Sequence, residues 1–568
     1  MPLQKTWRIS SPNPSLQKRL AEALGISWVT AQILINRGID EPEKVQAFLK
    51  PSLKDLPNPF LFPDMEKAVR RLIQAIQNRE SIAVYGDYDV DGLTSSALLQ
   101  TFFTELSLPL TVYIPDRIQE GYGINIKALE ELKAKKISLI ITADCGTKSQ
   151  DALQWAKKNG LDVIVTDHHE LDSRKSPAFA FINPQMLKEG TPGRELAGVG
   201  VVFMLLIALR QKMREEGLFK NGEPNLRQHL DLVALGTVGD LAPLTGINRI
   251  LVTYGLKELA VTKKMGIIAL KEVCKLDGGK TMEPSDIGFR LAPRINAGGR
   301  IAKASLGLDL LCAADLERAS KLAKILDQCN QERQAMQEKH VREAFRQAED
   351  KLAKNGFVVS SKDWHPGIVG LVASKLAENY YRPSIALAIE KDFARGSARS
   401  IPGVHIVEIL EACSDLLEQF GGHKQAAGLT VSLTNLSQFE ERFEKALQQK
   451  VLEEPFKPFL NIDCELKLND IQAKFLEELG SLKPFGIKNP EPVFACNDLK
   501  FNDLRVVGEK HLKFKVTDLE TTLEAIGFNM SNNHPLTLKG GNVAFVPQWN
   551  TYQNQKTIQL KIKDLKRI

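Results

Sequence analysis

The chain has 568 residues, which is enough for about three or four domains. Hydrophobic residues make up 43% and charged residues 25%, and neither an apolar run of ~18 residues nor a signal peptide is present, so we expect a cytoplasmic protein without a membrane span. The seven cysteines form no CxxC pair, which argues against disulfide and cysteine–zinc frameworks, and the formal charge of +6 permits a polyanionic partner without requiring one.

Residues 1–50 predict a small helical segment without evident chemistry. Behind them, "SIAVYGDYDVDGLTSSALLQTFFTEL" joins an apolar β-rich run, three alternating aspartates (Asp87, Asp89 and Asp91) and a run with helical spacing. This pattern predicts a strand, a turn and a helix. A calcium loop of the EF-hand type is excluded, because its twelfth position is Leu98 instead of a glutamate. In open parallel sheets ligands bind beyond the carboxyl ends of strands, so the acids lie where a site is expected.

Three further apolar runs end in acids or histidines. "ISLIITADCG" ends at Asp144, "LDVIVTDHHE" ends at the triplet 167–169, and "LDLVALGTVGDLAPL" runs into Asp240. Between the first two, "KSQDALQWAKKNG" predicts an amphipathic helix closed by Gly160. A strand, a helix and a strand with short connections imply a parallel sheet, whose strand ends meet at one edge.

Five or more carboxylates at one edge would repel one another and raise each other's pKa. A divalent cation removes this penalty, and carboxylates with imidazole but no thiolate suit Mn²⁺ or Mg²⁺. The number of ligands fits two ions roughly 3.5–4 Å apart that share a carboxylate, as in phosphoryl displacement. His168 and His169 point to opposite sides in an extended backbone, so we expect one at the metal and the other toward substrate or a neighbouring acid.

The second half of the chain divides into three stretches. Residues 301–354 contain no proline and predict one or two long helices, either as a packed hairpin or as a connection between two lobes. Residues 355–450 predict an α/β lobe, in which "ARGSARSIPGVHI" forms a glycine-rich turn suited to phosphate, with "GGHKQAAG" nearby. Residues 455–568 alternate in about five short segments, which predict a small β-barrel of the OB type, with a β-sandwich as the alternative.

These motifs carry a resemblance to a known family. "VYGDYDVDGLTS", "TADCG", "VTDHHE" and "GTVGDLAPL" resemble successive motifs of the DHH phosphoesterase superfamily, and "GGHKQAAG" resembles the motif of its DHHA1 domain. "APRINAGGR" and "WHPGIVG" resemble, more specifically, the RecJ family of bacterial single-strand-specific 5′→3′ DNA exonucleases. The resemblance implies an α/β, two-lobed core followed by a barrel: a DHH domain at 51–300, a connecting helical segment at 301–354, a DHHA1 domain at 355–450 and an OB fold at 455–568.

The resemblance also implies roles for individual residues. Asp144 and His169 are expected to act in catalysis. The expected metal ligands are Asp87, Asp89, Asp91, Asp144, His168 and Asp240. The expected substrate-binding residues are Arg294, Asn296, Arg300, Ser397, Arg399, Ser400, Gly421, Gly422 and His423. The chain departs from the family at Cys145, where asparagine is usual, and at "NAGGR", where NAAGR is usual.

The predicted activity is hydrolysis of single-stranded DNA from the 5′ end with two Mn²⁺ or Mg²⁺ ions. By resemblance, the partners are a single-strand-binding protein and a DNA helicase in recombination and repair. Two alternatives remain open: a phosphoesterase for oligoribonucleotides or other small phosphoesters, and a non-catalytic replication scaffold. All expected ligand positions are occupied, which favours activity, and the length and the extra β-domain favour a nucleic-acid substrate.

Overall fold

The computed structural model describes residues 5–117, 119–219, 222–276, 281–453, 456–531, 539–552 and 555–567. The chain divides into two compact units. The larger unit contains Leu56–Ala242 and Gly246–Phe456, and the smaller contains Met1–Asp55, Pro243–Thr245 and Lys457–Ile568. No helix within the described ranges combines the length and apolarity needed to cross a bilayer.

The amino-terminal part of the smaller unit contains one strand and three helices. These are β1 (Thr6–Ile9), α1 (Pro14–Leu24), α2 (Trp28–Asn36) and α3 (Pro42–Leu49). The Asn13 and Ser27 side chains cap α1 and α2 by accepting from backbone N–H groups. The predicted helical character is confirmed, whereas the strand was not predicted.

A five-stranded parallel sheet of order β3-β2-β4-β5-β6 forms the first lobe of the larger unit. Its strands are β2 (Ile82–Gly86), β3 (Leu110–Tyr113), β4 (Leu139–Ala143), β5 (Asp162–Thr166) and β6 (Ala180–Ile182). From β2 the chain moves outward to β3 and then returns to the other side of β2 with β4. The switch point therefore lies between β2 and β4, and ligands bind beyond the carboxyl ends of strands at such a point.

Eight helices accompany this sheet up to residue 273. They are α4 (Met65–Gln77), α5 (Val90–Glu105), α6 (Ile126–Ala134), α7 (Gln150–Lys158), α8 (Gly198–Glu215), α9 (Leu230–Gly239), α10 (Gly246–Ala260) and α11 (Met265–Val273). The helix predicted before Gly160 is α7, and Gly160 follows it at φ +68°. The largely apolar run before Asp240, which includes Asp231 and Thr237, is the buried helix α9 and not another strand, because a short buried run of this kind fits either element.

The connecting segment contains short and long helices. They are α12 (Pro284–Asp286), a π-helix (Ile287–Leu291), α13 (Ala292–Ile301), α14 (Ser305–Leu311) and α15 (Leu316–Glu349). The "APRINAGGR" motif is helical. Its glycines are tolerated in α13 because other backbone lies close to them: a Cβ on Gly299 would be 2.9 Å from the Tyr88 carbonyl oxygen. The long helix α15 confirms the prediction for 301–354.

The second lobe of the larger unit is a five-stranded mixed sheet of order β10-β11-β9-β8-β7. Its elements are β7 (Phe357–Ser361), α16 (Val369–Tyr380), β8 (Ser384–Glu390), β9 (Phe393–Arg399), α17 (Ile406–Glu411), β10 (Leu417–His423), β11 (Ala426–Ser432) and α18 (Leu436–Glu453). The predicted glycine-rich turn at "ARGSAR" is wrong: this stretch is the central strand β9, paired with β8 and β11. Its alternating small residues pack between two neighbouring strands.

The smaller unit continues with β12 (Phe459–Ile462), β13 (Cys464–Glu465), α19 (Ala473–Ser481), β14 (Phe494–Val507), β15 (His511–Thr517), β16 (Thr522–Gly527), β17 (Gly540–Tyr552) and β18 (Gln555–Lys566). The order is β13-β14-β15-β16-β18-β17, and β14 also pairs with β17, which closes a five-stranded barrel. The strand β1 pairs in parallel with β12, and Trp7 donates to Asp564 at 2.7 Å. The predicted barrel is confirmed.

Candidate metal centre and phosphate-binding site

The turn between β2 and α5 brings three carboxylates to the switch point of the parallel sheet. Asp89 is the N-cap of α5, and its side chain accepts from the N–H groups of Asp91 and Gly92 at 3.0 and 3.2 Å. A side chain at Gly92 would bring its Cβ within 2.6 Å of the Asp87 backbone, so only glycine permits this turn. The helix therefore begins directly behind the strand, with Asp87 and Asp91 buried.

The amino terminus of α8 holds the third carboxylate of this turn. Asp91 Oδ2 accepts from Gly198 N at 2.7 Å, and Asp91 Oδ1 accepts from Val199 N at 2.8 Å. Backbone N–H groups at a helix start are well suited to a negative charge. The sequence separates these residues by more than a hundred positions, so this support could not be predicted from local pattern.

Asp144, His168 and Asp240 converge on the same place from three elements. Asp144 follows β4 with φ +66°, a left-handed conformation that turns its carboxylate into the site. His168 Nε2 lies 3.2 Å from Asp144 Oδ1 and 3.7 Å from Asp240 Oδ2. It also lies 3.9 Å from Asp91 Oδ2. Asp240 is the C-cap of α9, so the acid predicted to end a strand reaches the site from a helix.

The six residues expected to bind metal form overlapping ligand sets. The ligand atoms of each set lie within 4.8 Å of one another, and the sets are Asp87–Asp89–Asp144, Asp144–His168–His169 and Asp91–His168–Asp240. Both Asp144 oxygens, Asp87 Oδ1 and His168 Nε2 are buried and have no hydrogen-bond partner among the described residues. Buried polar atoms without partners are costly, and a divalent cation would satisfy them. The donors are carboxylates and imidazole, which fit Mn²⁺ or Mg²⁺.

The electrostatics of this cluster also favour a cation. Burial, reinforced by the neighbouring carboxylates, raises the pKa of Asp87, Asp144 and Asp240 well above the usual range. Burial together with the charge of Asp89 raises the pKa of Asp91 to about 7. Burial lowers the pKa of His168 to about 4, which leaves its imidazole neutral and able to act as a ligand. A positive ion among these groups would reverse the cost of ionising the acids.

His169 has surroundings that differ from those of His168. Its Nδ1 lies 2.7 Å from Asp167 Oδ1 and 2.9 Å from the Tyr122 hydroxyl. Burial alone would lower the pKa of His169, but the hydrogen bond to Asp167 and the charges of Asp167, Asp240 and Asp89 together outweigh it and raise the pKa to about 9. Asp167 itself accepts from Thr147 N and His168 N, at 2.9 and 2.7 Å. Asp167 therefore orients His169, and the two histidines of the triplet have different surroundings, while their separate roles stay predictions.

Four half-buried arginines are coupled electrostatically, because the charges of three of them act on Arg300, as does Asp89 of the candidate metal centre; we call Arg117, Arg300, Arg333 and Arg399 the arginine cluster. Burial, followed by the charges of the other three, lowers the pKa of Arg300 to about 9, and Asp89 opposes this effect. Burial and the charge of Arg117 also lower the pKa of Arg399. Half-buried like charges repel one another, so an anion is a suitable partner for the cluster. Guanidinium groups bind phosphate well because of their forked donors.

The other predicted substrate-binding residues are distributed unevenly around this cluster. Arg399 Nη1 donates to Ser397 Oγ at 2.5 Å, so these two residues of β9 act together. Ser400 Oγ donates to the Val404 carbonyl at 2.8 Å. Gly421 and Gly422 lie on β10, which ends at His423. Burial lowers the pKa of His423; the charge of Glu170 opposes this shift, and the charges of Arg399 and His169 add to it. His423 of the second lobe thus approaches residues of the first.

Arg294 and Asn296 have partners within the protein. Arg294 forms an ion pair with Asp327 at 2.8 Å and donates to the Arg290 carbonyl, which ties α13 to α15. Asn296 Oδ1 accepts from Val90 N at 2.8 Å and so supports the first turn of α5. These contacts give both residues a structural role, and binding of substrate by them stays a prediction.

Sequence analysis missed the loop between β3 and α6, which supplies Arg117 and Tyr122. Arg117 lies over the Tyr88 ring at 4.8 Å, and the Tyr122 ring centre is 5.2 Å from that of His169. The signal was present, because this loop also follows the carboxyl end of a parallel strand. Its nearest acid, Asp116, is separated from β3 by Ile114 and Pro115, whereas Asp87, Asp144 and Asp167 follow their strands directly.

Comparison with known proteins matches this arrangement. Residues 81–237 match the model of the N-terminal domain of the DHH family, residues 354–450 match the DHHA1 domain, and residues 462–564 match the RecJ OB domain. The chain is 38% identical to the single-stranded-DNA-specific exonuclease RecJ of Bacillus subtilis, over 98% of this chain and 70% of the relative.

Two solved structures of RecJ from Thermus thermophilus are similar to the chain over almost its whole length. The complex with Mn²⁺ has a TM-score of 0.86 at 28% identity and covers 99% of this chain and 80% of that one. The complex with Mg²⁺ has a TM-score of 0.80 at 28% identity and covers 99% and 78%. The predicted fold, two DHH-type lobes followed by an OB barrel, is confirmed.

Proposed function

The chain belongs to the RecJ family of single-stranded-DNA-specific exonucleases, and from this premise we propose that it hydrolyses the phosphodiester bonds of single-stranded DNA with divalent metal ions. The observation that carries the proposal is the juxtaposition of buried carboxylate oxygens that have no hydrogen-bond partner among the described residues and half-buried arginines that repel one another. The first group suits a cation and the second suits a phosphate. A phosphodiester held between them would contact the metal ions on one side and the arginines on the other.

We further propose that two ions bind and that Asp144, which belongs to two of the ligand sets, is the shared carboxylate. Asp87 and Asp89 complete one set, and His168 links the other set to Asp91 and Asp240. When bound, ions at such a site supply a water nucleophile at neutral pH and compensate the charge of the phosphate oxygens. The role of the protein is to fix the carboxylates, which the amino termini of α5 and α8 do through backbone N–H groups.

His169 is proposed to act on the phosphate or the leaving oxygen. Its Nδ1 is held by Asp167 and Tyr122, so Nε2 is the ring atom left to face substrate. An imidazole held through Nδ1 by a carboxylate keeps its proton and orientation, which suits a group that donates to an oxygen as negative charge develops. Removal of Asp167 would therefore act through His169.

The arginine cluster is proposed to hold phosphates next to the scissile one. Arg300 lies on α13 of the connecting segment and Arg399 on β9 of the second lobe, so a single strand held by both would contact these two parts of the larger unit. The 5′→3′ direction, a function in recombination and repair, and cooperation with a single-strand-binding protein and a helicase are part of the same proposal and rest on family membership.

The proposal is tested with matched single-stranded DNA and RNA labelled at the 3′ end and incubated with Mn²⁺ or with EDTA. We expect Mn²⁺-dependent shortening of DNA from the 5′ end, lost in Asp144→Ala. Asp172→Ala is the matched control, because Asp172 forms an exposed ion pair with Arg174 outside the ligand sets. Preference for RNA or for oligomers of a few nucleotides would favour the small-substrate phosphoesterases. Absence of any cleavage under these conditions would favour the scaffold.

A further inference from the structure

A short loop of the second lobe touches both helices that carry arginines of the cluster. The loop consists of residues 364–367, with the sequence WHPG, and we call it the WHPG loop. It follows β7 and precedes α16. Arg300 lies near the end of α13, and Arg333 lies on α15. The loop therefore lies where the connecting helix, the motif helix and the second lobe meet.

Three hydrogen bonds run in series from α15 through this loop to Arg300. His365 N donates to His340 Nε2 at 3.3 Å, and Gly367 N donates to His365 Nδ1 at 3.1 Å. The Gly367 carbonyl oxygen then accepts from Arg300 Nη1 at 3.2 Å. Each histidine accepts through a defined ring nitrogen, so that nitrogen carries no proton in this arrangement.

The ends of this series are firmly anchored. His340 and Trp364 are almost fully buried, with their ring centres 6.1 Å apart, and Trp364 Nε1 donates to Glu343 Oε2 at 2.8 Å. A Cβ at Gly367 would lie 2.4 Å from the Arg300 carbonyl oxygen. The loop backbone is thus pressed against Arg300, and only glycine permits this approach.

The guanidinium of Arg300 needs such an anchor, because its neighbours in the arginine cluster repel it. Without an acceptor at Gly367, a long side chain among like charges would turn away toward solvent, which costs little because its rotamers are free. The carbonyl of Gly367 opposes this repulsion and leaves the other donors of the fork available for phosphate.

We propose that His340 and His365 are positioning residues, which fix the Gly367 carbonyl and through it the Arg300 guanidinium for a substrate phosphate. This inference rests on the proposed phosphate-binding role of the arginine cluster. The two histidines do not touch substrate. They set the conformation of the loop that holds Arg300.

The test compares variants that keep or remove the acceptor atom, in the full-length chain with saturating Mn²⁺. In His365→Asn the amide oxygen can replace Nδ1, and in His340→Gln it can replace Nε2, whereas His365→Leu and His340→Leu remove the acceptor. We expect the leucine variants to raise KM for single-stranded DNA about tenfold, as for the loss of one hydrogen bond to a charged group, with kcat within about twofold. The amide variants should restore KM to within about twofold of the parent.

Two controls separate positioning from packing. His405→Leu removes a histidine of the same lobe outside the series and should leave KM unchanged. In an Arg300→Ala background, His365→Leu should raise KM no further, because the group it positions is absent. Thermal unfolding checks that each variant folds, and if His340→Leu does not fold, the half-buried position 365 carries the test.

Three outcomes would overturn the inference. The first is an unchanged KM in His365→Leu. The second is an amide variant as defective as the leucine variant, which would indicate packing. The third is additivity with Arg300→Ala. If Arg300→Ala itself leaves KM unchanged, the phosphate-binding role fails together with this inference, while Mn²⁺-dependent cleavage that is lost in Asp144→Ala would still support hydrolysis at the metal centre.

Discussion

Replacing Gly198 with alanine should disable the metal centre without unfolding the protein. Gly198 is the first residue of α8, and a Cβ there would lie 2.6 Å from Asp144 Oδ1 and 2.8 Å from Asp144 Cβ. Ordinary van der Waals contact begins at 3.4 Å, so the carboxylate and the helix start must separate by about 0.8 Å, the difference between 3.4 and 2.6 Å. Metal ligands tolerate deviations of only ~0.2 Å.

When reacting groups are displaced by about 1 Å, the rate can fall about a hundredfold. We therefore expect Gly198→Ala to lower kcat by about 10- to 100-fold and to raise the Mn²⁺ concentration needed for half-maximal activity. The assay is cleavage of labelled single-stranded DNA over a Mn²⁺ titration, with thermal unfolding measured in EDTA. The unfolding temperature should change by only a few degrees, because alanine suits a helix better than glycine by ~1 kcal/mol.

Gly200→Ala is the matched control on the same helix. Its Cβ would lie 2.8 Å from Leu196 Cδ2, the far end of a side chain that can rotate away, and not near a carboxylate. Wild-type kcat and Mn²⁺ dependence in Gly198→Ala would refute the reasoning. If Gly200→Ala lowers kcat as much as Gly198→Ala does, the cause is a change in helix α8 and not the contact with Asp144.

Three other perturbations test the role of Asp167, the binding of metal and the ion pairs of Arg71. Asp167→Asn should lower kcat about 10- to 100-fold with KM unchanged in steady-state kinetics, because it loosens His169 and not the phosphate contacts; a larger change in KM than in kcat would contradict this role. Each tenfold excess of Mn²⁺ over its Kd should stabilise the fold by ~1.4 kcal/mol, measured as a rising unfolding temperature, and Asp144→Ala should abolish the rise. Arg71→Leu should cost about 1–3 kcal/mol in denaturant unfolding, because Arg71 pairs with Glu80 and Asp162, each at 2.7 Å. Arg71 lowers the pKa of Glu80, so the stabilisation from this ion pair is complete above the ordinary glutamate pKa of ~4.3 and is lost as the pH falls through the lowered pKa of Glu80. The free energies of unfolding of the parent and of Arg71→Leu should therefore converge in acid.

The convergence of the acids that are expected to bind metal could be predicted because parallel strands impose it. Asp87, Asp144 and the triplet 167–169 each follow a strand of one sheet, and chain order with short connections forces those ends to a common edge. The chemistry of the donors then indicated a divalent cation. Neither step required knowledge of side-chain packing.

The parts that escaped prediction depend on tertiary environment. The run before Asp240 is apolar on nearly all sides, so its period could not distinguish α9 from a strand. The motif "INAGGR" contains glycines that usually mark a turn, yet it is helical because α13 must approach Tyr88 and α15 closely. The stretch at 393–399 has small residues suited to a turn, but two neighbouring strands pair with it.

The arginine cluster shows the same limit at the level of function. Arg300 and Arg399 lie in motifs that were expected to bind substrate, whereas Arg117 lies in none, and the three come from separate segments. The repulsion among these half-buried guanidinium groups exists only in the folded unit. Arg294 illustrates the reverse, since it lies in a motif and yet forms an ion pair with Asp327.

The pairing of β1 with β12 has a consequence for how the chain acquires its structure during synthesis. Residues 9 and 462 are hydrogen-bonding neighbours in register, so the amino-terminal strand has no partner until 453 further residues have been made, the difference between 462 and 9. At ~5–20 residues per second this interval lasts roughly 20–90 s. The larger unit, almost continuous in sequence, can complete its core within it, while an unpaired edge at the start of the chain stays available for wrong pairing. The amino terminus should therefore become resistant to protease only after the strands of the smaller unit have been synthesised. Folding of the larger unit should not limit this step.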